Sequence, residues 1–492
     1  MPPRGDLASW SLLAILGLPW LGAVVVAALP RERQHLAGKI TLLALVAGAA
    51  SLAISRLFGS NLTLDLPWIP AMTLSLSLRL DPVALPFLVN TLGVALAAAW
   101  YAQGYFAHIE RAPLCYGLLL AFSGSMVGTL LANDAILFFV FWELMLVTSS
   151  LLLAGWGDGK NVGAVTIKYF VYTQLGSLLV LIALVWLIAT TGQSSLAGIT
   201  AGIAKVTPSG LTWIAGLFIA GFAVKLAIAP LHTWLPDAHS IAPMPVTVLL
   251  AAAMLSMGAY GMLRYPIMLL GQSAIKSLQL PLLIIALASQ IYGALMSLSS
   301  TDIKRLVAYS SVSQMGYVLF GLATLTPRGM AGGVLHVISH GILKAALFMG
   351  VGLVMWGTER RRLDRLGGLW GEMPGASVVL ALTAIAMAGL PPFVAFHGEW
   401  MILAGGLAAS HPILGYLAFI SPLFTAAYGL WLITRVALGP RPLDLEVHPV
   451  PRSMRWSTYA LVALSLVLGL FPNIVYRWAT EAVSAIACRV EL

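Results

Sequence analysis

Glu143, Lys225, Lys344 and Glu399 are charged residues set inside long apolar runs. A charge at membrane depth costs at least a few kcal/mol unless it finds a partner or water, so each marks a candidate functional position. Glu143 lies in DAILFFVFWELMLVTSS and Lys225 in FAVKLAIAPLHTWLPDAH. A carboxylate and an ammonium that make and break contact alter each other's proton affinity, so such a pair is a proton switch. The bland alternatives are a helix-packing hydrogen bond by Glu143 and snorkelling of Lys225 to an interface. His336, His340 and Lys344, in HVISHGILKAALF, are spaced i, i+4, i+8 and share one helix face. Imidazoles titrate near neutrality and hand protons along a chain. The same spacing suits plain inter-helix hydrogen bonding, or a metal pair, although no carboxylate accompanies it locally. Glu399, in GLPPFVAFHGEWMIL, follows two prolines within two turns and reads as the terminal group of a second half-path. His397 lies on a different face and reads as a structural partner. His232 and His239 flank Asp237 beyond Lys225. They either pass protons toward the centre or cap backbone groups freed by a helix break.

The elements that must position these residues are membrane helices. Of 492 residues, 60% are hydrophobic and only 9% charged, against about 25% charged in a soluble protein. An all-α polytopic bundle forming a single transmembrane domain over 1–492 is expected. Fourteen runs approach the ~20 residues that cross a bilayer: 10–29, 40–58, 83–103, 114–132, 135–154, 164–190, 211–230, 243–265, 278–298, 307–325, 330–356, 377–405, 413–438 and 457–475. The first, Trp10 to Leu29, has no small-residue cleavage site behind it and reads as a retained span. Pro230 is expected to break the seventh span five residues after Lys225. Pro391 and Pro392 break the twelfth before Glu399. Prolines in corresponding spans suggest two inverted five-helix repeats, 114–265 and 278–438, with an ion path between them.

Of the 27 Lys and Arg residues, sixteen fall in the odd-numbered loops, nine in the even loops and termini, and two, Lys225 and Lys344, inside spans. Positive charge stays cytoplasmic, so both termini are expected on the other side. Lys304, Arg305 and the loop TERRRLDRL at 358–366 read as anchors on that face. The net charge of +9 therefore reflects loops and not nucleic-acid binding. Cys115 and Cys488 have no CxxC neighbour, which argues against a structural zinc, an iron–sulfur cluster or a disulfide framework. Neither a dinucleotide glycine fingerprint nor a Walker sequence is present. No NAD, ATP, redox metal or other cofactor is expected in this chain.

These strings resemble the antiporter-like, proton-pumping subunits of respiratory complex I, of the subunit M type, and their relatives in Mrp antiporters (the D subunit) and membrane-bound hydrogenases. The resemblance runs from about residue 75 to 435. It rests on FFVFWELML, VKLAIAPLHTWLPDAH, STDIKRLVAYSSVSQMGY, HVISHGILKAALF and GLPPFVAFHGEW. It implies fourteen spans and a charge-switched pair at Glu143 and Lys225. It also implies a relay through His336 and His340 and an exit at Glu399, where glutamate in place of lysine is the mark of subunit M. It implies a plasma or thylakoid membrane, neighbouring antiporter-like subunits as partners, and redox chemistry confined to other subunits. Two positions depart from the pattern. Ser256 stands where the family usually has a central lysine: either a water held there or Lys344 covers the gap, or coupling is altered. Gln314 stands where subunit M commonly has histidine, which is expected to shorten any relay. HSIAPMPV drifts toward hydrogenase and Mrp forms, so an Mrp-type sodium/proton antiporter subunit is the alternative. A scaffold that has lost transport is a third reading, resting on Ser256 alone.

Overall fold

The computed structural model describes residues 4–69, 74–107 and 109–490. Helix α1 spans Arg4–Ala27 and α2 Ala37–Phe58. A two-stranded antiparallel hairpin follows, β1 Leu62–Ile69 and β2 Leu74–Leu80, with Leu62 opposite Leu80. Then come α3 (Ala84–Tyr105), α4 (Ala112–Leu131), α5 (Ala135–Trp156), α6 (Val162–Thr191) and α7 (Pro208–Leu226). A short α8 (Leu235–Ile241) leads into α9 (Met244–Leu269), α10 (Gln279–Ser299), α11 (Ile303–Ala323) and α12 (Pro327–Thr358). Two fourteen-residue halves, α13 (Pro374–Met387) and α14 (Val394–Leu407), precede α15 (Pro412–Leu438), α16 (Arg452–Leu470) and α17 (Asn473–Val490).

Thirteen of the helices among the described residues are long and apolar enough to cross a membrane. The expected twelfth span is the exception. It is two half-helices parted at Gly389–Phe393, because neither Pro391 nor Pro392 can donate to a helical ladder. A two-stranded hairpin is added to the helical bundle. Its strands, LTLDLPWI and LSLSLRL, alternate leucine with other residues at period two, which leaves no continuous apolar run. Helix α17 was likewise missed, since its sequence NIVYRWATEAVSAIACRV carries too many polar residues to read as a span.

Local chemistry sets the helix starts. Asp134 caps α5 by accepting from the backbone N–H of Ile136 and Leu137 at 2.9 and 3.2 Å. Asp302 does the same for α11 through Lys304 and Arg305. Pro208, Pro327 and Pro374 open their helices at the first turn, where no amide hydrogen is missed.

Helices α9 and α12 lie at the centre, buried on all sides, with α11 nearly so. Around them α2, α6, α10, α15 and α16 turn apolar faces outward, including Leu57, Leu175, Val185, Leu295 and Leu423. Outward leucines are what lipid contact requires. One end of the bundle gathers ion pairs from helix ends and loops: Lys168 and Arg305 with Asp237 (2.7 and 2.8 Å), Arg361 with Asp302 (2.5 Å) and Arg360 with Asp444 (2.9 Å).

Candidate functional site

Lys225 sits in the last turn of α7, one residue before Leu226 ends it. The sequence placed the break five residues further on. The helix stops early because the residue before a proline is driven out of the α region, so the chain leaves the helix ahead of Pro230. Ala227 is left-handed, with φ of 56°, and Ile228 N–H donates back to Ala223 O at 3.1 Å, a Schellman-type end. Trp234 Nε1 takes up Val224 O at 2.9 Å, and Ala229 N–H donates to Ser289 Oγ at 3.0 Å. These bonds satisfy the broken backbone without Lys225.

The Lys225 ammonium is thus free for other work. It is 2% exposed, has no hydrogen-bond partner among the described residues, and lies 5.2 Å from the centroid of the Trp142 ring. Trp142 is held in turn by Ser177 Oγ at 3.0 Å. Glu143, next to Trp142 on α5, acts electrostatically on Lys225, yet its buried Oε1 is also unpartnered. The expected pair is therefore near but open, with the ammonium set over an aromatic face.

The two histidines of the break part company. His232 stacks edge-on against Tyr292, ring centres 4.9 Å apart. His239 is fully buried between Trp234 and Phe348. Neither ring nitrogen has a hydrogen-bond partner among the described residues, and Lys304 and Lys344 both act on it electrostatically. Asp237 belongs to neither. It is half-buried in the ion pairs with Lys168 and Arg305, so it is not a cap.

On α12, His336, His340 and Lys344 are all buried. Lys344 Nζ donates to Ser310 Oγ on α11 at 2.6 Å. His340 lies within the fields of Lys344, His336 and His239, so His239 joins this cluster. His336 Nε2 meets Gln314 Oε1 at 2.8 Å, and Gln314 Nε2 donates to Tyr428 OH at 3.4 Å. Gln314 therefore extends the polar chain, contrary to the expectation that it would shorten it: its amide both accepts and donates. Tyr428 and Tyr317 in turn feel Glu399. Glu399 is 3% exposed with Oε1 unpartnered. Its Oε2 lies against Gly389, where a Cβ would stand 2.1 Å away and where φ is 68°. His397 instead donates to Gly469 O at 2.9 Å, the structural role read from the sequence.

Ser256 does not bridge toward α12. Its hydroxyl donates to Ala253 O of its own helix at 2.5 Å.

Two groups were misread. Lys304 is no surface anchor. It is 4% exposed, and its ammonium bonds Ala242 O at the end of α8, with Ser240 O 3.5 Å away. Arg264, counted with an even loop, is buried in α9 and paired bidentately with Asp81 at 2.6 and 2.7 Å. An arginine inside the run GMLRYPIML, with an aspartate opening another span, was the available signal.

Residues 132–425 match the family described as NADH:quinone oxidoreductase/Mrp antiporter, TM. The chain belongs to this family. Among its members, NADH-quinone oxidoreductase subunit M of Escherichia coli K12 is 34% identical over 86% of this chain and 84% of its own. NAD(P)H-quinone oxidoreductase chain 4 2 of Thermosynechococcus vestitus is 33% identical over 86% and 80%. A chain of respiratory complex I from Thermus thermophilus superposes with a TM-score of 0.86 at 25% identity, over 98% of this chain and 99% of that one. A chain of the Mrp complex from Dietzia sp. DQ12-45-1b gives 0.86 at 29% identity over 96% of this chain. This chain spans only 52% of that Mrp chain's length.

Proposed function

We propose that this family member is a proton-translocating membrane subunit of a complex I-like NAD(P)H or ferredoxin:quinone oxidoreductase. Other subunits do the redox chemistry, and this chain carries no cofactor. One observation carries the reading: a buried ammonium, Lys225, stands near a half-buried acidic side chain, Glu143, whose shielded Oε1 makes no hydrogen bond among the described residues, and no salt bridge joins the two. A structural pair would close, because an unpaired buried charge is costly. Charges held apart in this way suit a switch.

The path runs Glu143, Lys225, then the cluster of His239, His340 and Lys344, then His336 and on to Glu399. Gln314 and Tyr428 are its hydrogen-bonding links. His232, turned toward Tyr292, stands off that line. The two halves correspond to repeats 114–265 and 278–438, with the termini on the non-cytoplasmic face of a plasma or thylakoid membrane. Partners are neighbouring antiporter-like subunits, as the quinone oxidoreductase names of the relatives suggest.

The test is the rate of proton uptake, recorded beside donor oxidation, by membrane vesicles carrying the assembled complex. Lys225→Ala or Glu143→Ala should remove most pumping while assembly stays near wild type. Loss of assembly in step with pumping would make the pair structural. The likeness to the Mrp chain favours a second reading, sodium/proton exchange. Sodium-dependent uptake without electron transfer would establish it.

A further inference from the structure

Asn90, in the second turn of α3, is 4% exposed. Its Nδ2 donates to Ala252 O at 2.9 Å, within the π-helical stretch Leu250–Met254 of α9. Its Oδ1 is buried and has no partner among the described residues. That oxygen lies against Gly341 of α12, where a Cβ would stand 1.7 Å from it, so only glycine leaves it room. Gly341 follows His340 and lies three residues before Lys344, which places it on the lysine's side of the helix.

An acceptor kept from water and left unbonded is costly, so it calls for an explanation. Asn90 cannot satisfy it by turning outward. On that side it lines a cavity of about 220 Å³ walled by Ile338, Ile342, Leu461 and Trp478, which offers an amide nothing and would forfeit Ala252. Meanwhile Ser256 has turned its hydroxyl back onto Ala253 O, and Lys344 has turned onto Ser310. Between α9 and α12 the open polar atom comes from a third helix.

We propose that Asn90 is a positioning residue of the proton path. Its amide oxygen accepts a hydrogen bond from the donor that carries the proton past Gly341, so that α3 closes the polar gap between Ser256 and Lys344. This assignment rests on the proton-path reading above.

Vesicles carrying the assembled complex, driven with NADH, or with reduced ferredoxin where NADH is not oxidised, test both together. Asn90→Leu removes the acceptor at similar volume and should lower the rate of proton uptake about tenfold, read beside donor oxidation. Asn90→Asp keeps an acceptor but loses the donor to Ala252, and should stay within about threefold of wild type. Equal losses in the two variants would make the side chain a strut for Ala252 and overturn the proposal. Should Asn90→Leu not assemble, Gly341→Ala carries the test. It pushes the oxygen away and leaves Asn90 in place, and pumping at the wild-type level would again overturn the proposal. Lys225→Ala separates the two levels. If it pumps normally, the proton path itself falls. If it stops pumping while Asn90→Leu does not, only the Asn90 assignment falls.

Discussion

Asp81 and Arg264 form the closed counterpart of the open pair at Glu143 and Lys225. The guanidinium meets the carboxylate with two bonds, and its Nε donates to Tyr260 OH at 3.0 Å. Tyr260 donates onward to Leu130 O, also at 3.0 Å. Burial pushes the Asp81 carboxyl up, but the charge and hydrogen bonds of Arg264, helped by Arg79, outweigh it and hold it at about 2. Breaking one side of such a pair leaves an uncompensated charge. Asp81→Asn is therefore expected to destabilise the subunit by about 3–5 kcal/mol, read as a lowered thermal midpoint in detergent. The acid form of the prediction follows from linkage. A carboxyl depressed in the folded state stabilises fully above its unfolded value of about 3.9, and that stability is lost as pH falls through about 2. Wild type should lose stability across this window, and Asp81→Asn should lack that component. The pair was illegible in the sequence because its members stand 183 residues apart, one in a loop and one at a span end.

Among elements, the broken seventh span is the informative one. Prolines announced both breaks, but the place where α7 stops depends on its Schellman-type end and on Trp234, ten residues away from the carbonyl it caps. Beyond the break, α8 is tied at its tail. Lys304 bonds Ala242 O, and Arg361 reaches Ser240 O and Oγ at 3.3 and 3.1 Å. These cations neutralise the carbonyl end of a short helix that carries His239. Lys304→Met would take from Ala242 O its charged donor and leave it Thr247 Oγ1 at 3.1 Å, a cost of about 1–3 kcal/mol. Amide hydrogen exchange over 235–242 should quicken by roughly fivefold to a hundredfold, while exchange in α12 stays slow. Unchanged exchange over 235–242 would refute the clamp.

At the scale of the whole molecule, charged and imidazole groups run from Glu143 on α5 to Glu399 on α14, across two helices buried on every side. Such a line has two ends, and both end in a carboxylate. Glu399→Gln keeps the size and hydrogen-bonding capacity of the side chain but cannot exchange a proton. Removing a proton-transfer group is expected to slow pumping about tenfold or more, with electron transfer falling in step if the path is obligatory. Vesicle proton uptake recorded beside donor oxidation reads both. No change in either would make Glu399 a packing residue over Gly389 and cut the path at Tyr428.

Sequence alone determined the membrane class, nearly all the helices, the two breaks and every charged member of the candidate path. These depend on local quantities: mean apolarity over a span, a proline's missing donor, and the rarity of charge among leucines. Tertiary structure decided which of those charges are paired. Lys304, Arg264 and Lys225 look alike in sequence, each a cation beside or within an apolar run. Packing gives the first a helix end, the second a carboxylate and the third an aromatic face. Asn90 carried no sequence signal, since an amide is neutral and common, and Gln314 stood out only as a departure from the family's histidine. Their importance lies in which backbone carbonyl oxygen or ring nitrogen stands within 3 Å, and only the meeting of distant helices sets that.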